Sequence, residues 1–287
     1  MEKKRVVITG IGVLTPVGNS VNETWEALLA GKSGIGRITK FDASEYTTQI
    51  GGEIKNFDPA EVMDKKEARR TPAFIQYALK ASKEAIEMSG LENSQVNKER
   101  VAVLVSSGIG GISVFEEQHR ILLEKGPSRI SPFFIPMMII NMAGAFVSMK
   151  YGYKGPNFSI VTACATGTHS FGEGAKMIIR GDADVAVVGG VENALGPMGL
   201  GGFCAARSPI FLTATLMTAM LPLCCSARKA VRRKPNRCHT WLTSGSNGAR
   251  AKNRRSARAR RRCCSMCLPN SIWTWCASAV KTRRCAG

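Results

Sequence analysis

The sequence predicts an α/β fold in which helices pack on a largely buried sheet, and three observations carry that prediction. "RVVITG" (5–10), "VAVLVSS" (101–107), "FSIVTA" (158–163) and "DVAVVGG" (184–190) are short, unbroken apolar runs, the pattern of strands covered on both faces. Helical stretches at 112–125, 136–150 and 165–180 separate the later runs, as in an α/β domain. Apolar residues make up 44% of the chain, enough for a substantial core.

Each element has a local reason. The first run is β-branched and ends in glycine. Asn22 is placed to cap a helix through "ETWEALLA", with Gly31 just past its end as a C-terminal glycine should be. Thr71 and Pro72 read as N-cap and first position of a helix to Ser89, with Gly90 after it and Phe74, Tyr77, Ala78, Ala81, Ala85 and Met88 along one face. Gly10 and Gly12 after the first strand invite a dinucleotide-binding reading, but Thr15 stands where the third glycine belongs and Pro16 interrupts the required helix. A tight turn after a core strand is the simpler reading. "SSGIGG" (106–111) lacks the Lys-Ser/Thr end of a phosphate loop. Its glycines read as points of close approach to another chain or a ligand, at the strand end where α/β proteins place their sites.

Composition changes abruptly near Arg207. The chain carries 40 Lys or Arg against 21 Asp or Glu, a net charge of +19, yet all 21 acidic residues precede Ser208 while 17 of the basic ones follow it. An ordinary stretch of that length would hold roughly nine acidic residues. Eight of the ten cysteines and three of the four tryptophans also follow Ser208. We therefore divide the chain into a domain over 1–207 and a basic, Cys- and Arg-rich tail over 208–287. "SPIFLTATLMTAMLPLCC" could form a short helix, but "ARKAVRRKPNR" and "ARAKNRRSARARRR" offer little apolar area against their ordering entropy and are expected to be poorly ordered. Cys264 and Cys267 form a C-x-x-C without a second pair, and Cys238 and His239 are adjacent rather than spaced, so no metal site is expected. No run of about 20 apolar residues is present to span a bilayer, and "MEKKRVVITG" lacks the apolar stretch of a secretory signal, so the expected location is the cytoplasm with no membrane partner.

The most informative segment is "VTACATGTHS" (161–170). Cys164 ends an apolar run and precedes a helical stretch, and Ala165 and Gly167 leave room for a substrate to approach. Free amides at such a helix start favour an anion and can receive an oxyanion. For an isolated cysteine, burial as a small core residue is the competing reading. His169 stands five residues further along a helix, rotated by roughly 140° from the same face, which argues against it as the base. His119, in "FEEQHR", reads as a solvated side chain, and His239 lies in the tail.

Several segments resemble one family. "RVVITGIGVLTPVGNSVNETWEALLAGKSGI", "FDASEY", "RRTPAFIQYAL", "SSGIGG", "SPFFIPMMIINMAG", "GPNFSIVTACATGTHS" and "GGVENALGPMGLGGFCAARS" are similar to the β-ketoacyl-acyl carrier protein synthases, condensing enzymes of the thiolase-like fold, most closely the type II elongating kind. The resemblance spans residues 1–207 and implies the N-terminal half of the layered αβαβα fold. It implies that Cys164 is the nucleophile and that its N–H supplies one oxyanion donor. Ile109 and Phe134 would line the acyl pocket, Phe134 from across a homodimer interface, and Gly199 and Phe203 would stand near its mouth. The implied partner is acidic acyl carrier protein, which Lys65, Lys66, Arg69, Arg70 and Arg207 could steer, and no cofactor is implied.

The family's C-terminal half would supply two active-site histidines, a lysine and a glycine-rich loop. No "HGTST", "KS-x-x-GH" or "GFGG" follows Arg207. The implied activity is a Claisen condensation of an acyl-enzyme with malonyl-carrier, impaired in this chain because enolate formation lacks its donors. Two alternatives are a non-catalytic partner subunit of a complete synthase and, ranked last, a polyanion-binding protein acting through the tail; no specific nucleic acid is expected. A shift of reading frame near codon 207 would produce the observed change of composition. Nucleotide sequence across that codon checks this: an in-frame alternative carrying both histidine motifs is the expected result, and an unchanged frame with the tail detected as peptide would sink it.

Overall fold

The computed structural model describes residues 5–206 and the backbone of a strand at 223–227. Arg207, His239, the Cys264–Cys267 pair and both arginine-rich segments lie outside the described residues. The order of elements is β1 (Val6–Ile11), α1 (Val21–Leu29), a hairpin of β2 (Ile35–Arg37) and β3 (Ile50–Gly52), α2 (Lys65–Ala68), α3 (Ala73–Ser89) and β4 (Val101–Ser107). Then come α4 (Ile112–Lys125), α5 (Phe134–Met138), α6 (Met142–Tyr151), α7 (Thr166–Arg180), β5 (Val185–Val191), α8 (Pro197–Ala205) and β6 (Leu223–Ala227).

The main sheet runs β1-β6-β5-β4. Strands β4 and β5 pair in parallel, Val101 opposite Val185 through Ser107 opposite Val191, while β6 is antiparallel to both of its neighbours. Every residue of β4 is buried. Its side chains alternate between two cores. Val101, Val103 and Val105 join Val185 and Val187 beneath α3 and α6, whereas Ala102 and Leu104 join Ala186, Val188, Met177 and Ile178 beneath α7. This is the doubly covered sheet that the unbroken apolar runs imply.

Helix α3 is buried on two sides because β1 lies along one and α6 along the other. Phe74, Tyr77, Ala78, Ala81 and Ala85 face inward as the periodicity suggested, and so do Ile75, Leu79 and Ile86. Met88, expected on the same face, is exposed, although its sulfur accepts the Ile11 N–H at 3.3 Å. Glycine at the left-handed positions Gly90 and Gly181 ends α3 and α7.

Several sequence expectations need correction. Helix α1 is capped by Ser20, whose hydroxyl accepts the Glu23 N–H, not by Asn22, and α3 has Pro72 rather than Thr71 at its N-cap. The stretch 136–150 is two helices, because the backbone turns extended at Ile139. The run "FSIVTA" forms no strand. Asn157, the residue before it, bridges Val103, after which Ile160 donates its N–H to the Ser106 hydroxyl instead of to a backbone carbonyl. Phe158 and Val161 consequently stand exposed at the sheet edge. Residues 223–225, at the end of the apolar stretch read as a short helix, belong to β6.

The first strand is also less buried than its composition suggests, with Val7 and Ile8 exposed. Its glycines serve packing rather than a turn. A Cβ on Gly10 would lie 2.1 Å from the Ala85 carbonyl oxygen, and one on Gly12 would lie 1.9 Å from that of Ala81. Strand and helix therefore meet backbone to backbone. Gly12→Ala must separate them and should cost about 3 kcal/mol or more, read as a lowered urea midpoint at unchanged slope.

Candidate active site

The parallel pair β4–β5 delivers two turns to the same end of the sheet. Beyond β4, Ser107 to Gly111 turn into α4, and beyond β5, Glu192 begins the path to α8. The Glu192 carboxylate binds the first turn. Oε2 accepts the N–H groups of Gly108 at 3.1 Å and Ile109 at 3.0 Å, and the Ser107 hydroxyl lies 3.2 and 3.3 Å from the two oxygens. Oε1 also accepts the Asn193 N–H at 3.1 Å. Burial pushes the Glu192 carboxyl above its ordinary range, against the pull of these hydrogen bonds.

The glycines of "SSGIGG" approach the chain itself, contrary to the expectation of another chain or a ligand. A Cβ on Gly111 would lie 2.5 Å from the Met137 carbonyl oxygen, and Gly110, at φ 76°, faces that of Met138. Gly108 meets a different neighbour. Its Cβ would lie 3.3 Å from Ala163 Cα, the residue before the thiol.

Cys164 lies in a single 3₁₀ turn, Ala163–Ala165, that leads directly into α7. It is a free, exposed thiol, not the small core residue of the competing reading. Ala163 has φ 49°, a left-handed backbone in a residue that carries a Cβ, costing about 1–2 kcal/mol. Neighbouring contacts hold it there. Thr166 Oγ1, buried, accepts the Thr162 N–H at 3.0 Å, and Ser106, also buried, anchors Ile160 and lies 3.5 Å from the Ser170 hydroxyl. The thiol thus stands in a turn clamped on both sides.

An open groove of about 640 Å³ runs beside this end of the sheet, lined by Ile109, Ile112, Phe115, Met138, Ile139 and Phe158 among others. Of the two expected pocket residues, Ile109 lines this groove, whereas Phe134 stands behind the lining residue Phe115, ring centroids 6.3 Å apart. His119 is exposed, as expected, and its ring stacks on that of Phe115, centroids 6.0 Å apart. Gly199 and the half-buried Phe203 lie on α8, which packs against α4. Glu116 of α4 accepts the Met198 N–H at 3.3 Å and so caps α8 where Gly196 has no side chain to do it. Lys65, Lys66, Arg69 and Arg70 are all exposed on or just after α2. Arg70 reaches over the Phe133 ring, 5.4 Å from its centroid, and joins this basic helix to the segment that carries Phe134.

Sequence reasoning missed Glu192, Ser106 and Thr166. A carboxylate directly after an apolar strand and two glycines was a visible signal for the first. The two hydroxyls carried none, because Ser and Thr beside small residues are common in loops. Among the described residues no group of three or more His, Cys, Asp or Glu could hold a metal ion.

The fold is that of the ketosynthases, the thiolase-like class. The described structure superposes on the ishigamide ketosynthase/chain length factor with a TM-score of 0.67 at 24% identity, covering 79% of this chain and 59% of that one. A type II PKS acyl-carrier protein in complex with its ketosynthase bound to the hexaketide gives 0.65 at 22%, covering 79% and 64%. The chain belongs to the β-ketoacyl synthase family, whose N-terminal domain matches residues 3–213. Similar proteins include 3-oxoacyl-[acyl-carrier-protein] synthase 2 of Coxiella burnetii, 54% identical over 208 residues, and of Vibrio cholerae, 49% over 208. The alignment with each covers 72% of this chain and 50% of the relative, so the chain spans about half the length of the curated relatives it matches.

The clamp on the thiol turn can be probed without catalysis. Thr166→Val keeps the side-chain shape but leaves the Thr162 N–H unpaired, which should lower unfolding free energy by about 1–3 kcal/mol. Thr166→Ser should retain most of it, both read by urea titration.

Proposed function

We propose that this chain carries the thiol-bearing half of a 3-oxoacyl-[acyl-carrier-protein] synthase of fatty acid synthesis. The observation that supports it most is the exposed Cys164 at the start of α7, in a clamped turn whose neighbour, the Ser107–Gly111 turn, also forms a wall of an apolar groove. In the proposed reaction Cys164 Sγ, as thiolate, attacks the carbonyl of an acyl-carrier thioester. The oxyanion forms against the Cys164 N–H, and collapse expels the carrier thiolate, which takes up a proton and leaves an acyl-enzyme. The acyl chain would lie in the groove along Ile109, with Phe134 reaching in from a second copy across a dimer interface and Gly199 and Phe203 near the mouth.

Condensation then requires malonyl-carrier to lose carbon dioxide and the resulting enolate to attack the acyl-enzyme. That enolate needs donors, and the sequence holds neither histidine motif. Loading without product release is therefore the activity proposed for this chain. Lys65, Lys66, Arg69, Arg70 and Arg207 are the proposed docking residues for the acidic carrier. Residues beyond 213, where the family match ends, are proposed to be a tail foreign to the family. A cytoplasmic location accords with this reading, and no helix among the described residues is long and apolar enough to cross a membrane.

A pairing reading is favoured by the edge beside β4, where Phe158 is 43% and Val161 50% exposed despite an apolar run. The proposed occupant is a second copy, or a complete synthase for which this chain is a non-catalytic partner subunit.

Three measurements test these readings. Incubation with acyl-carrier protein should add one acyl mass at Cys164 and none in Cys164→Ser, while ketoacyl release with malonyl-carrier should fall on the order of a thousandfold or more below a complete synthase. In the same assay Lys66→Glu/Arg69→Glu should slow loading from the carrier about tenfold but leave loading from acyl-coenzyme A unchanged. Val161→Asp should shift a sedimenting dimer to monomer, and a wild-type chain that sediments as a monomer at all concentrations would rule out self-pairing.

A further inference from the structure

We propose that Glu192 is a positioning residue that sets the acyl-chain selectivity of the thiol site, by holding the Ile109 turn at once against the groove and against the backbone of Ala163. The inference rests on the acyl-thiol reading above and deepens it. Glu192 follows the C-terminal end of β5 and binds the turn after β4, and Gly108 of that turn packs beside Ala163, the left-handed residue before the thiol. A Cβ built on Gly108 would lie 3.2 Å from Glu192 Oε2 and 3.3 Å from both Cα and O of Ala163, so the turn packs closely between the carboxylate and the thiol turn, and a side chain there would press on both.

The chemistry of the junction calls for a carboxylate and not merely a polar side chain. The backbone N–H groups of Gly108, Ile109 and Asn193 all present protons to its oxygens. The Ser107 hydroxyl does so too, because its own oxygen accepts the Gly110 N–H at 2.8 Å, which leaves its proton free to point at Glu192. An acceptor-only group satisfies all four, whereas the amide of glutamine would turn an NH₂ toward at least one N–H donor. Ile109 is the residue through which this acts. Its N–H is held by Glu192 while its side chain, 37% exposed, lines the groove. Release of that N–H frees the groove wall to move without removing any atom from it.

The test uses the full chain and two alkylating probes, iodoacetamide and N-dodecyl iodoacetamide. In each case Cys164 Sγ displaces iodide, and the rate is read at the Cys164 peptide by mass spectrometry. In the wild-type chain the dodecyl probe should react faster, relative to iodoacetamide, than it does in urea. Glu192→Gln should lower that ratio at least about tenfold, the scale expected when hydrogen bonds to a charged acceptor are lost, while the iodoacetamide rate stays within about threefold. A folded Glu192→Gln chain that keeps the wild-type ratio overturns the role of Glu192 and leaves the groove reading intact. A wild-type chain with no preference for the dodecyl probe overturns the groove reading and the selectivity role with it. If Glu192→Gln does not fold, Ser107→Ala replaces it, since it removes one donor and loosens the same turn. A ratio lowered by a smaller factor is then expected, and an unchanged ratio overturns the proposal.

Discussion

The parallel pairing of β4 with β5 is the constraint on which the rest of the structure depends. Because successive side chains of a strand point to opposite faces, one seven-residue ladder fastens α3 and α6 to one side of the sheet and α7 to the other. Parallel strands also end together. The turn that carries Ile109 and the turn that carries Glu192 thus emerge side by side, and α7 is docked where its first turn can meet them. The thiol turn forms no strand of its own, yet it is located by this pair through Gly108 and Ser106, both at or beyond the end of β4.

Close approach governs the details. Gly12 against Ala81, Gly110 and Gly111 against Met138 and Met137, and Gly108 against Ala163 are all contacts in which backbone meets backbone. Such contacts are short and directional, and they leave little room for adjustment by side-chain repacking. They explain why a site assembled from loops and helix ends can still have a defined geometry, with hydroxyl and carboxylate groups taking the place of ladder hydrogen bonds where the chain leaves the sheet.

Much of this was legible in the sequence, and the parts that were not share a cause. Continuous apolar runs gave β4 and β5 nearly to the residue, and the helix 112–125 was read with its observed bounds. Cys164 was legible as the residue between an apolar run and a helix start. The strand expected at 158–163 failed because hydrophobicity records burial and not hydrogen bonding: that segment is apolar, but its partner at Ile160 is the side chain of Ser106. Gly10 and Gly12 looked like a turn after the first strand because close helix packing and turn formation leave the same residue in the sequence. Glu192 was passed over because the pairing of a carboxylate with amides some eighty positions away in the chain has no local signature.

The left-handed Ala163 also fixes the spacing of the segment around it. From that residue the chain enters α7 within one 3₁₀ turn, so the thiol is indexed to the helix axis, and each inserted or deleted residue would swing the segment by about 100° about that axis. The number of residues between Thr162 and Thr166 is therefore constrained separately from their identities. Substitutions within "TACAT" are changes of chemistry, while a change of length there would aim the same thiol in another direction.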